Sequence, residues 1–142
     1  MSETPASEPA ADVLVVEDDA AIRRLLAVTL RHQGLHVTTA RDGFEAIEQL
    51  KQHRFRVLIL DLMMPRVTGW EVIDWLKGEP SGKPQSVIVV SATNREVIRE
   101  LEPEVVNAIV FKPFDVNELA GYVKACCGPN DDRRVKRMVG RV

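Results

Sequence analysis

Glu17-Asp18-Asp19 closes one apolar run, Val13-Leu14-Val15-Val16, and Asp61 closes a second, Val57-Leu58-Ile59-Leu60. Ser91 ends a third run, Val87-Ile88-Val89-Val90, and Lys112 a fourth, Ala108-Ile109-Val110-Phe111. Carboxylates brought together repel one another and raise their own pKa values, so such a cluster calls for a cation. Hard oxygen donors select magnesium or a similar divalent ion, which needs few protein ligands and keeps its waters. A carboxylate at the end of a wholly apolar strand, with no helix to cap, can act as a nucleophile toward phosphorus. A hydroxyl and an ammonium on the same rim would serve the phosphoryl oxygens. Each residue also has a plainer reading. Asp19 is placed to cap the helix that follows, where negative charge is favoured. A lone serine or lysine after a strand is ordinarily a turn residue or a solvated one. Four polar strand ends in one chain make the chemical reading the stronger.

The elements that must position them follow from periodicity. Strands are expected over 13–17, 35–39, 56–60, 86–90 and 107–111. Helices are expected over 20–33, with Ile22, Leu25, Leu26 and Leu30 on one face, and from Asp42 to about Gln52. A third starts at Thr68 and buries Val72, Ile73 and Leu76. A short fourth covers 94–101, with Pro103 kinking or restarting it, and a fifth starts at Asp115 with Leu119, Tyr122, Val123 and Cys126 in register. Gly34 fits a helix C-cap, Asp42, Thr68 and Asp115 fit N-caps, and Gly128-Pro129 is a stop signal. Crossovers of this length join parallel strands, and right-handed ones give an α/β fold with helices on both faces of the sheet. Such sheets place their chemistry beyond the C-terminal strand ends.

The 142 residues suit one domain, and a net charge of −2 gives no overall pull toward nucleic acid or anionic membrane. No apolar run reaches membrane-spanning length, and no secretory leader opens the chain. The adjacent Cys126 and Cys127 lack the spacing of a zinc or redox motif and fit a reduced, cytoplasmic protein. Residues 1–11 read as a flexible tail, 12–127 as the folded domain, and 128–142 as a basic tail carrying Arg133, Arg134, Lys136, Arg137 and Arg141.

The ordered motifs resemble a response regulator receiver domain. They are Val13-Leu14-Val15-Val16-Glu17-Asp18-Asp19 with Ile22-Arg23-Arg24 following, Leu58-Ile59-Leu60-Asp61-Leu62-Met63-Met64-Pro65, Thr68-Gly69, Val89-Val90-Ser91-Ala92 and Phe111-Lys112-Pro113-Phe114. The resemblance spans roughly Asp12 to Cys127 and implies a doubly wound five-stranded parallel sheet of flavodoxin-like order 2-1-3-4-5. It implies a bacterial two-component or phosphorelay protein, not a turnover enzyme, in which Asp61 is the phosphoacceptor. Asp18, Asp61 and the backbone carbonyl of Met63 match the ligands of Mg2+ (or Mn2+), with Glu17 acting through water. Ser91 matches the switch hydroxyl and Lys112 the lysine beside the phosphate, with a cis Lys112–Pro113 peptide. Phosphorylation would shift the loop after Ser91 and the helix expected over 94–101. The partners implied are a sensor histidine kinase or histidine phosphotransfer protein and a downstream protein. Direct nucleic-acid or membrane binding is not expected, and the chain would be a monomer or weak homodimer.

One position departs from the pattern. Three residues before the lysine the family often carries Tyr or Phe, and here Ile109 stands there. Phe111 is expected to point to the other side of the strand and not to substitute. Met63 and Thr93 would frame the path of an attacking water, and the apolar Met63 offers it no base, so self-hydrolysis should be slow to moderate. A pseudo-receiver that signals without phosphorylation is the alternative. A phosphohydrolase would want an acid where Met63 stands, and a flavodoxin-type binder would want a phosphate-cradling loop where the acidic triplet stands.

Overall fold

The computed structural model describes residues 12–64, 66–79, 83–92, 99–127 and 136–138. Strands β1 (Val13–Val16), β2 (Val37–Ala40), β3 (Val57–Asp61), β4 (Ser86–Ser91) and β5 (Ala108–Phe111) form a parallel sheet in the order β2-β1-β3-β4-β5. Helices α1 (Ala20–His32), α2 (Gly43–Gln52), α3 (Gly69–Lys77) and α4 (Val116–Cys126) cover it on both faces. The expected α/β sheet and its order are present.

β1, β3 and β4 are buried along their whole length, which is why they read as unbroken Val/Leu/Ile runs rather than alternating ones. Their side chains alternate between two cores. Leu14, Val16, Leu58, Leu60, Val87 and Val89 meet α2 and α3 through Ala46, Leu50, Val72, Ile73 and Leu76. Val13, Val15, Val57, Ile59, Ile88 and Val90 meet α1 and α4 through Leu26, Leu30, Leu119 and Val123. A one-residue slip in any strand would exchange the two sets, so the packing fixes the register that aligns the strand ends.

The helix caps are those the sequence marks. The Asp19 carboxylate accepts from the N–H of Ala21 and Ile22 at 2.9 and 3.1 Å. Thr68 and Glu71 form a reciprocal capping box on α3. Asp19→Ala should therefore cost about 1 kcal/mol of stability, read by urea unfolding. At the other end of α1, Gly34 takes φ +88° and Leu35 N–H returns to Leu30 O at 3.3 Å. That bond spends Leu35 on the helix end, so β2 begins at Val37 and not at 35.

A sixth strand, β6 (Lys136–Met138), pairs in parallel with β5. It lies within the stretch expected to be only a basic tail, and the sheet is thus one strand wider than the five anticipated. Three residues flanked by charge carry no readable period, which is why the pattern missed it. The expected tail over 1–11, most of the helix over 94–101 and the rest of 128–142 lie outside the described residues. Among the described residues no helix is long and apolar enough to cross a membrane.

Candidate metal and phosphoryl site

Register does the positioning. Val16 pairs with Leu60, Leu60 with Val89, and Ser91 with Phe111. Glu17, Asp61, Ser91 and Lys112 consequently sit at one level of one rim. Carboxylate oxygens of Glu17, Asp18 and Asp61 all lie within 4.8 Å of one another. Glu17 and Asp61 are buried, each 2% exposed, whereas Asp18 is exposed.

Lys112 supplies the counter-charge. Its Nζ lies 3.0 Å from Glu17 Oε1 and 3.4 Å from Asp61 Oδ2. Glu17 Oε2 also accepts the Asp19 N–H at 3.1 Å, and Asp61 Oδ1 accepts the Met63 N–H at 3.1 Å. The Lys112–Pro113 peptide is cis, as the resemblance implied. The Lys112 N–H donates to Ser91 O at 2.9 Å, which ties the ends of β4 and β5 together. Ser91 is buried on the same rim. Met63 places its N–H on Asp61 and leaves its side chain 57% exposed.

Burial pushes the Asp61 carboxyl up to about 7, helped by the charge of Glu17 and a hydrogen bond with it, against the pull of Lys112 and the Met63 N–H. Burial works against the Lys112 ammonium, but Glu17 and Asp61 outweigh it and its pKa is raised. A carboxyl raised on folding binds its proton more tightly in the native state than in the unfolded chain. Between about pH 4 and about 7 the native state then holds more protons, and stability falls as pH rises through that window. Urea unfolding of the metal-free protein across that range should show the decline, and Asp61→Asn should remove the part due to this group.

Three contacts at the site were not anticipated. Arg23 Nη1 donates to Glu17 O at 2.8 Å and Asp18 O at 3.4 Å, fixing the turn that carries both acids. Gly69 packs so closely that a Cβ there would overlap Asp61 O and lie 2.7 Å from Leu62 Cα. Gly43 does the same against Val67, whose Cγ1 would lie 2.6 Å away. Arg23 belongs to the opening motif, though its carbonyl contacts were not read from it, and nothing in the spacing of Gly43 marks it. Thr68-Gly69 was legible as part of a motif, though its close approach was not.

The response regulator receiver domain family matches residues 13–124, through all of these rim positions. The chain belongs to that family. The receiver is 32% identical over 120 residues to the DNA-binding response regulator MtrA of Mycolicibacterium paratuberculosis, covering 84% of this chain and 52% of that protein. It is 30% identical over 113 residues to the response regulator ArlR of Staphylococcus aureus, covering 80% and 51%. It thus spans about half the length of these relatives. Among solved structures, chemotaxis protein CheY4 of Vibrio cholerae superposes with a TM-score of 0.73 at 30% identity, over 82% of this chain and 98% of that one. TrrA of Thermotoga maritima, solved in complex with Mg2+-BeF, gives 0.69 at 29% identity, over 81% and 97%.

The receiver corrects one expectation. Ile109 and Phe111 are two residues apart and share a face of β5, packing toward the α2–α3 side, while Ala108 and Val110 face α4. Strand periodicity of two requires this, so Phe111 does not point away from Ile109. Ile109 is 3% exposed and shares that core with Val89 and Val106, whereas Phe111 is only partly buried. Thr93 and the helix expected after it lie outside the described residues.

Proposed function

We propose that this receiver accepts a phosphoryl group on Asp61 in a two-component or phosphorelay pathway. The observation that carries the reading is a buried Asp61 held between Glu17, Asp18 and the Lys112 ammonium. An Asp61 carboxylate oxygen attacks phosphorus. The bond from phosphorus to the leaving imidazole or carboxylate breaks, and an aspartyl phosphate forms. Lys112 and the Ser91 hydroxyl each take one phosphoryl oxygen. The donor set is all hard oxygen, with atoms close enough to share one small ion, and fits Mg2+ or Mn2+. Asp18, Asp61 and the Met63 carbonyl would hold it, with Glu17 reached through water. Bound there, the ion neutralises charge on the phosphoryl oxygens. The Mg2+-BeF complex of TrrA supports this assignment by likeness.

The donor would be a phosphohistidine on a sensor kinase or phosphotransfer protein, and the output a downstream protein that reads the loop beyond Ser91. The setting would be the bacterial cytoplasm. The receiver would promote its own phosphotransfer and slow dephosphorylation, without turning over an external substrate. Asp61 binds the ion and attacks phosphorus as its anion, so metal affinity, and phosphotransfer once the ion is bound, should rise as pH climbs toward and past about 7.

Intact-mass spectrometry after incubation with acetyl phosphate tests the reading. One phosphoryl mass gain is expected, dependent on Mg2+ and lost in Asp61→Asn. No gain with acetyl phosphate or phosphoramidate, despite Mg2+ binding, would favour the second reading, a receiver that signals without phosphorylation. The buried Ile109 in place of an aromatic is the observation behind that alternative.

A further inference from the structure

The joining of β6 to the sheet differs from every other described step. β1–α1–β2 steps toward one edge with its helix on the α1 face, and β2–α2–β3 and β3–α3–β4 step the other way with helices on the opposite face. All three are right-handed. β5–α4–β6 steps in the direction of β3–α3–β4, but α4 lies on the α1 face, packed with Leu26 and Leu30. That crossover is left-handed, a hand found in only about 2% of parallel connections. The strand it delivers is three residues long.

Reach does not prevent it. Arg56 Nη1 donates to Cys127 O at 3.2 Å, which pins the end of α4 near the start of β3. Three strand spacings separate β3 from β6, roughly 14 Å. Residues 128–135 can span up to about 26 Å. The same chain can therefore supply its own edge strand. The backbone of β5 shows what that strand covers. Lys112 N–H donates to Ser91 O at 2.9 Å, and Leu62 N–H donates to Val90 O on the β3 side at 3.1 Å, so Val89 and Ser91 face β5. Strand alternation turns Val110 N–H and Ala108 C=O toward β4 with Lys112, and Ile109 N–H and C=O outward. With Arg137 opposite Ile109, Ile109 N–H meets Lys136 O and Met138 N–H meets Ile109 O.

We propose that the outer edge of β5 is a strand-docking surface whose resident occupant is the chain's own segment 136–138, held as a detachable cover. The unfavourable hand and short ladder make the cover weak. Its presence keeps an otherwise open edge from pairing with other chains. The covered strand runs directly into Lys112, so this surface adjoins the phosphoryl site without belonging to it.

Residue-resolved hydrogen exchange on the full chain tests this, with Met138→Pro and Met138→Ala for comparison. Proline removes the ladder N–H, whereas alanine keeps it. In the unaltered protein Ile109 should be protected about tenfold or more over an exposed amide, yet exchange well before Val110, through local opening. Met138→Pro should bring Ile109 to the exposed rate and leave Val110 unchanged, and Met138→Ala should change neither. Dilution should have no effect. Three outcomes would overturn the proposal: Ile109 unprotected at the start, Ile109 as slow as Val110 and indifferent to Met138→Pro, or protection that grows with protein concentration. The last would assign the strand to a second copy.

Discussion

Lys112→Met should cost the metal-free protein about 3 kcal/mol at pH 8 and far less at pH 5. The ammonium is the one cation within ion-pair distance of both Glu17 and Asp61 among the described residues. Methionine keeps the length of the side chain and removes its charge. Two buried carboxylates then face each other uncompensated, and breaking such a pair by deleting one partner is more costly than never having built it. At pH 5 the Asp61 carboxyl, already raised to about 7, is protonated and the penalty shrinks. Urea unfolding at the two pH values reads the difference. Millimolar Mg2+ should recover part of the loss at pH 8, since a divalent ion meets the same charge. An equal loss at both pH values would reduce Lys112 to a packing residue.

Gly69→Ala should destabilise the fold by about 2–4 kcal/mol and displace Asp61. The added methyl would overlap Asp61 O and approach Leu62 Cα to 2.7 Å. Both are backbone atoms, so no rotamer change relieves the clash. The Gly69 N–H to Leu62 O bond, 3.1 Å long, holds the two segments in that embrace. Gly78→Ala is the matched control. Its new methyl would find Trp75 O at 3.7 Å, an ordinary contact, and should change stability by less than about 1 kcal/mol. Thermal or urea unfolding compares the pair. If the two variants melt alike, the close approach at Gly69 is not a constraint.

Much of the site was legible because its residues interrupt strong patterns. Asp61 and Glu17 stand out only against fully apolar strands, and a buried parallel sheet guarantees such strands. The rim followed from topology, since parallel strands end on one side. Contacts made through backbone were invisible. Arg23 reaches carbonyls, and Gly43 and Gly69 matter for what they lack, so even where a motif names the residue no side-chain pattern announces the contact. The orientation of Phe111 was misjudged although period two was available. The short β6 failed for a different reason: its pairing is a property of the β5 edge more than of its own sequence.

The charge carried by the rim also dictates an order of events. Three carboxylates, Asp61 among them, against one ammonium leave the rim two negative charges in excess once Asp61 is ionised. An approaching phosphodonor is itself anionic, and the field of the bare rim turns it away. A divalent ion cancels that surplus in one step. In the proposed reading, arrival is therefore compulsory in sequence, with cation before donor. Initial-rate kinetics should show the apparent donor affinity collapsing at low Mg2+ in place of a simple fall in maximal rate.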